Sequence, residues 1–136
     1  MPPESSRRLT FRKPERLVGR KAFEELIQKG TIIHLPPFRL TWLRVNQLPE
    51  FPVQVAFSVT KRKFKNATDR NRVKRLMRET YRKNKGNVYA LLSGEKISAH
   101  ILIQYTGTKL LTYDTALEKL PQILQQFAKD ILQTAE

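Results

Sequence analysis

The side chains able to do covalent chemistry are few and badly placed for it. His34 and His100 are the only histidines, and neither has a second ligand at metal-binding spacing. His100 sits inside an apolar run and reads as a structural residue. The chain has no cysteine, which removes thiolate nucleophiles, disulfides and thiolate metal sites. Its 12 carboxylates are scattered, with no pair or cluster of the kind a two-metal hydrolase needs. No Ser-His-Asp order and no glycine-rich phosphate loop can be proposed. Catalysis by this chain alone is therefore not expected.

What the sequence does concentrate is guanidinium. In the stretch 66–84, NATDRNRVKRLMRETYRKN, Val73, Leu76, Met77, Thr80 and Tyr81 recur at helical spacing and form one apolar stripe for a core. Asn71, Arg75, Arg78 and Arg82 recur at the same spacing on the other side. Thr68 or Asp69 is placed to cap the helix, and Gly86 to follow its end. On a surface of mixed sign, such a charged face is as often mere solvation. Here the only acids on the helix are Asp69 and Glu79, so the arginines are not neutralised locally and a polyanion partner is expected.

The charge distribution supports that partner. The formal net charge is +14 over 136 residues. Residues 61–85 carry twelve Lys/Arg against two acids, residues 1–30 eight against four, and residues 86–136 four against five. The excess is thus a patch on one part of a single domain, the footprint of a nucleic-acid binder held by phosphate neutralisation and counterion release. No apolar run reaches the length of a membrane span, and the N-terminus lacks a signal-peptide core. A cytoplasmic setting is expected.

The remaining elements must position this helix. Residues 1–13 read as a flexible basic arm and residues 14–136 as the folded domain. A short helix is predicted from about Gly19 to Lys29, with Ala22, Phe23, Leu26 and Ile27 at helical spacing and Gly30 after its end. Spacing alone favours the core for Phe23 and Ile27, leaving a ligand-facing role open. Residues 31–37 are extended or loop, and Pro36-Pro37 stops any helix. Residues 38–45 and 53–61 alternate as strands, and the seven-residue connection NQLPEFP joins them as an antiparallel hairpin pair. One face of the second strand is apolar. The other carries Ala56, Ser58 and Thr60, either a solvated face or a floor that a ligand backbone can approach. Ile97 to Tyr105 is nearly continuous in apolar residues and reads as a central strand. Leu117, Leu120, Leu124, Phe127 and Ile131 mark a C-terminal helix that Pro121 should kink or split. The fold class is α+β: helix–strands–helix–strand–helix around a sheet of about four strands.

The run Arg70-Asn71-Arg72-Val73-Lys74-Arg75-Leu76-Met77-Arg78, preceded by Asn66-Ala67, resembles the RNR signature of the bacterial ribonuclease P protein subunit. The likeness covers about residues 9–134, and the order of elements agrees with that family. It implies binding to the catalytic RNA of ribonuclease P and help in removing 5′ leaders from precursor tRNA, with no obligate protein partner and no membrane. It also implies Mg²⁺ held mainly by the RNA. Arg70, Asn71, Arg72, Lys74, Arg75 and Arg78 match the family's RNA-contacting signature, and Arg82 continues their face. The family binds the single-stranded leader in a cleft between the first helix and the open sheet face. Phe23, Ile27, Thr41, Ser58 and Lys61 fall at or near those positions. Ile27 stands where an aromatic is familiar in the family, and Asp69 where a basic or apolar residue is. Two rivals share the basic patch: a generic ribosomal or RNA-chaperone protein, and a DNA-binding protein using the 66–84 helix in a major groove.

Overall fold

The computed structural model describes residues 13–134. The expected arm falls almost wholly outside them; its last residue, Lys13, opens a 3-10 turn, Lys13–Glu15. The elements that follow are α1 (Arg20–Lys29), β1 (Thr31–Leu35), β2 (Phe38–Val45), β3 (Val53–Val59), α2 (Ala67–Asn84), α3 (Gly86–Gly94), β4 (Ser98–Tyr105) and α4 (Tyr113–Thr134).

The four strands form one sheet in the order β1-β2-β4-β3. β1 and β2 are joined by a tight turn at the cis Pro36-Pro37 bond and pair antiparallel. The expected β2–β3 hairpin does not form. β4 inserts between them, antiparallel to β2 and parallel to β3. The physical reason lies in β4, whose Ile101, Leu102 and Ile103 are all buried. A strand apolar on both faces gains most by taking the centre, where both faces are covered.

One sheet face carries Leu40, Trp42, Val53, Val55, Ile101 and Ile103 into the main core, against Val73, Met77 and Tyr81 of α2 and Leu120, Leu124, Phe127 and Ile131 of α4. The α2 stripe is thus buried as its spacing requires, with Leu76 only partly so. On α4 the expected stripe holds except for Leu117, which is 43% exposed. α4 runs unbroken through Pro121. The carbonyl that proline leaves unpaired belongs to Leu117, on the solvent side, where water can satisfy it.

Two details at the ends of α2 differ from expectation. The cap is Asn66, whose side chain accepts from the Thr68 amide at 2.8 Å, and neither Thr68 nor Asp69 takes that role. Gly86 does not end the chain's helical course either. Lys85 keeps a right-handed helical backbone (φ −76°, ψ −20°), and Gly86 opens the unanticipated α3.

Candidate nucleic-acid interface

α1 lies across the second face of the sheet, and its position follows from its flanking glycines. Gly19 has φ +99°, a conformation open to glycine at little cost, and lets the chain swing from the β3 edge into the helix. Gly30 has an ordinary φ of −70°. Its need is for space: a Cβ there would stand 2.4 Å from the Leu26 carbonyl and 2.6 Å from Thr41 Cγ2. The helix end is therefore pressed onto β2. Leu26, fully buried, packs with Leu17 and Leu102, and Phe23, Ala22, Leu43 and Ala56 border them.

The strand register arranges this face in rows. Ile32, Thr41, Leu102 and Ala56 align across the four strands. Thr41 and Leu102 are buried in that row, covered by α1. Two residues further along lies His34–Arg39–Gln104–Ser58, still across all four strands. None of these four is buried. Arg39 Nε donates to Gln104 Oε1 at 3.0 Å, which holds the guanidinium down on the sheet.

Helical geometry sets what overhangs the open row. Ala22 and Glu25 line a hollow with His100 on one flank of α1. Phe23 and Ile27 project from the opposite flank, the side of the open row. Ile27 is 56% exposed, so the expectation of a core position is corrected: Leu26 takes the sheet-facing position and leaves Ile27 outside. Phe23 is half-buried against the Leu17–Leu26–Leu102 cluster, with part of its ring accessible. Thr41 needs a correction too, since the end of α1 covers it and leaves it 5% exposed, a floor residue out of reach. Ser58 stands in the open row, and Lys61 is exposed just beyond β3. Arg39 and Gln104 were not singled out from the sequence. The strand alternation already set Arg39 opposite the apolar Phe38 and Leu40, and that was the available signal.

The signature residues separate into different environments. Asn71, Arg72, Arg75 and Arg78 are exposed on α2, and Lys74 is half-buried. Arg70 turns back on its own chain, donating from Nη1 to the carbonyls of Phe64 at 2.7 Å and Lys65 at 2.9 Å. The loop it holds is pinned elsewhere too. Phe64 is buried with its ring centroid 6.0 Å from that of Tyr105, and Lys63 Nζ donates to the Thr106 carbonyl at 2.5 Å. That bracing leaves Lys61, Arg62 and Lys65 facing solvent. Arg82 is engaged with Glu79, Nη2 to Oε1 at 2.6 Å. The Arg82 hydrogen bond holds the Glu79 carboxyl below the usual range, so this one acid is charged and compensates one arginine. Among the described residues no carboxylate forms an ion pair with Arg75 or Arg78.

His100 lies beneath the other flank of α1, half-buried; desolvation lowers its pKa, opposed by Glu25. Among the described residues no group of three or more His, Asp or Glu side chains could hold a metal. No described helix is long and apolar enough to cross a membrane.

Fold and surface together define a class: an α+β protein with a braced basic helix beside a half-covered polar sheet, built to meet a polyanion. The family model of ribonuclease P matches residues 11–128, and the chain belongs to that family. It is 32% identical over 128 residues to the ribonuclease P protein component of Syntrophus aciditrophicus, covering 93% of this chain and 98% of that one. Its identity to the Porphyromonas gingivalis protein component is 28% over 123 residues, 90% of each chain. The fold matches that of the ribonuclease P protein from Thermotoga maritima with a TM-score of 0.64 at 24% identity, covering 82% of this chain and 96% of that one.

Proposed function

We propose that this chain is a non-catalytic RNA-binding subunit, which docks on the catalytic RNA of ribonuclease P and holds the 5′ leader of precursor tRNA. The observation that carries the reading is the co-existence of two distinct surfaces on one rigid fold. The exposed face of α2, with Asn71, Arg72, Arg75 and Arg78, suits folded RNA, because guanidinium forks match phosphate oxygens bidentately. The row His34–Arg39–Gln104–Ser58, overhung by Phe23 and Ile27 and flanked by Lys61, suits an extended single strand. Polar groups and a cation lie below it, and an aromatic edge and an aliphatic side chain stand above for sequence-tolerant contact with bases. A ribosomal or DNA-binding protein would need the first surface and not the second.

Among the described residues no side-chain cluster suits Mg²⁺, and in this reading those ions are held by RNA phosphates. The protein's part is positioning and fixed positive charge, which lowers the cation concentration the RNA–RNA contact requires. The site of action is the cytoplasm. The test compares affinity of the reconstituted complex for precursor tRNA with and without its leader. Phe23→Ala and Ser58→Glu should each reduce the preference for the leader-bearing substrate about tenfold, while binding to the large RNA stays within twofold. Equal affinity for the two substrates in the unaltered complex would contradict the reading.

A further inference from the structure

The two outer edges of the sheet are built differently. β3 is bridged along its outer side, where the Leu17 amide donates to the Val55 carbonyl at 3.0 Å. β1, at the other edge, has only β2 beside it among the described residues. Every second residue of β1 therefore turns its amide and carbonyl towards solvent. The devices that usually blunt such an edge are missing from this strand. Thr31–Leu35 holds no Lys, Arg, Asp or Glu and no proline, and its pairing with β2 runs without a bulge. Ile32 is 51% exposed there. Beside the strand a hollow of about 460 Å³ opens between β1 and α4, lined on the helix side by Gln122, Gln126 and Asp130. A strand added to β1 would set every second side chain into that hollow.

We propose that the β1 edge binds β1 of a second copy of this chain, antiparallel across a two-fold axis, so that two four-stranded sheets become continuous. Open backbone groups of this kind demand an extended strand as partner, and charge and symmetry select the chain itself. Each copy carries a formal +14. Its cations concentrate in residues 61–85, which follow β3 and pack there, with the Phe57 and Tyr81 ring centroids 5.5 Å apart. β1 lies three strand spacings away, about 14 Å. Arg39, paired with His34 from β2, is turned inward to Gln104 at 3.0 Å. An acidic peptide would be drawn to the β3 side, whereas a strongly cationic partner meets least repulsion at β1. The edge is also self-complementary. A register centred on Ile33 pairs all five residues of each strand, with Ile32 of each copy against His34 of the other. Gln122, Gln126 and Asp130 are i, i+4 and i+8 on one flank of α4. The same two-fold sets Gln126 against its counterpart and Gln122 of each copy against Asp130 of the other, an amide donor facing a carboxylate. One short strand and two helical turns make a small interface, so the dimer is weak, with a Kd of about 10 µM or higher. It is independent of the function proposed above and leaves the basic face of α2 open in both copies.

The test is sedimentation equilibrium of the RNA-free full chain from about 5 to 500 µM, a range that brackets this affinity. A monomer–dimer equilibrium is expected, and added salt should strengthen it by screening the repulsion between the copies. Association that weakens with salt, as bridging by residual nucleic acid does, would overturn the proposal. Ile32→Lys places a charge on each side of the two-fold at an exposed position, and should weaken the dimer about tenfold or more without lowering Tm. The chain lacks cysteine, so Gln126→Cys gives one thiol per copy. A short bismaleimide should join that thiol to its counterpart, and should not join copies carrying Ser93→Cys, exposed on α3. Linkage through residue 93 in place of 126 would overturn the proposal. So would a monomer at every concentration, including one whose β1 amides another part of the chain protects from exchange.

Discussion

Lys85 and Glu15, 70 residues apart in sequence, form an ion pair with both side chains fully withdrawn from solvent. The ammonium also stands 5.2 Å from the Tyr89 ring centroid and 5.8 Å from that of Phe51. Beside it the Tyr81 and Tyr89 hydroxyls are 2.7 Å apart, and burial pushes both well above the ordinary tyrosine range, so both keep their protons. Glu15 belongs to the turn before α1, and Lys85 to the junction of α2 with α3. The pair therefore ties the turn that leads into α1 to the end of the basic helix.

Removing one member should cost far more than removing both. Lys85→Met removes the counter-ion of a buried carboxylate that keeps its hydrogen bond with Tyr89, and about 3–5 kcal/mol of unfolding free energy should be lost. Adding Glu15→Gln to it should restore much of that. Urea denaturation of the two single variants and the double measures this. An additive pair of losses would show that the charges do not compensate each other.

Arg70 and Arg75 should fail in different ways. Arg75→Ala removes an exposed charge and should lower the salt slope of RNA binding by about 1 with little change in stability. Arg70→Ala strips two carbonyls of their donor and releases the 61–65 loop. Its signature should be a stability loss of about 1–3 kcal/mol and faster proteolysis at Lys61 to Lys65. Salt titrations and limited trypsin digestion separate the two.

The helix α2 was legible because a period of 3.6 is a local signal, and Val73, Met77 and Tyr81 bury as their spacing demands. The strand order was not. Pairing of β2 with β3 followed from nearness in sequence, whereas the apolar run Ile101-Leu102-Ile103 was the true pointer to the sheet's centre. α3 was missed because Gly86 reads as a helix terminator, and nothing local says that Lys85 remains helical. The Lys85–Glu15 pair depends on contact between remote segments, which no spacing encodes. Spacing alone favoured the core for Ile27, but an apolar stripe four residues wide on a short helix has an edge, and the edge residue stays outside.

His100 should make the protein more sensitive to mild acid. Its pKa is lowered by desolvation, so the folded state disfavours the proton that the unfolded state accepts near pH 6.5. Stability should therefore fall as pH drops through 6.5 towards the lower folded value, and be unaffected above that window. His100→Gln should remove this step. The difference between the two stability–pH curves, from urea titrations between pH 5 and 8, tests it; parallel curves would contradict the assignment.

The charge concentrated on residues 61–85 should make the fold respond to anion type. Multivalent anions that bind the folded basic surface stabilise it by mass action, beyond simple screening. Millimolar sulfate or pyrophosphate should raise Tm more than chloride at equal ionic strength. Identical effects would leave screening as the whole cause.

The most direct test of the account asks where cleavage resides. Protein repurified through high salt and nuclease treatment, free of carried-over RNA, is incubated with precursor tRNA and Mg²⁺. It should leave the substrate uncut. Adding the large RNA should give a single cut at the mature 5′ end, at lower Mg²⁺ and salt than the RNA needs alone. Site-specific cleavage by the RNA-free protein would contradict its assignment as the non-catalytic subunit.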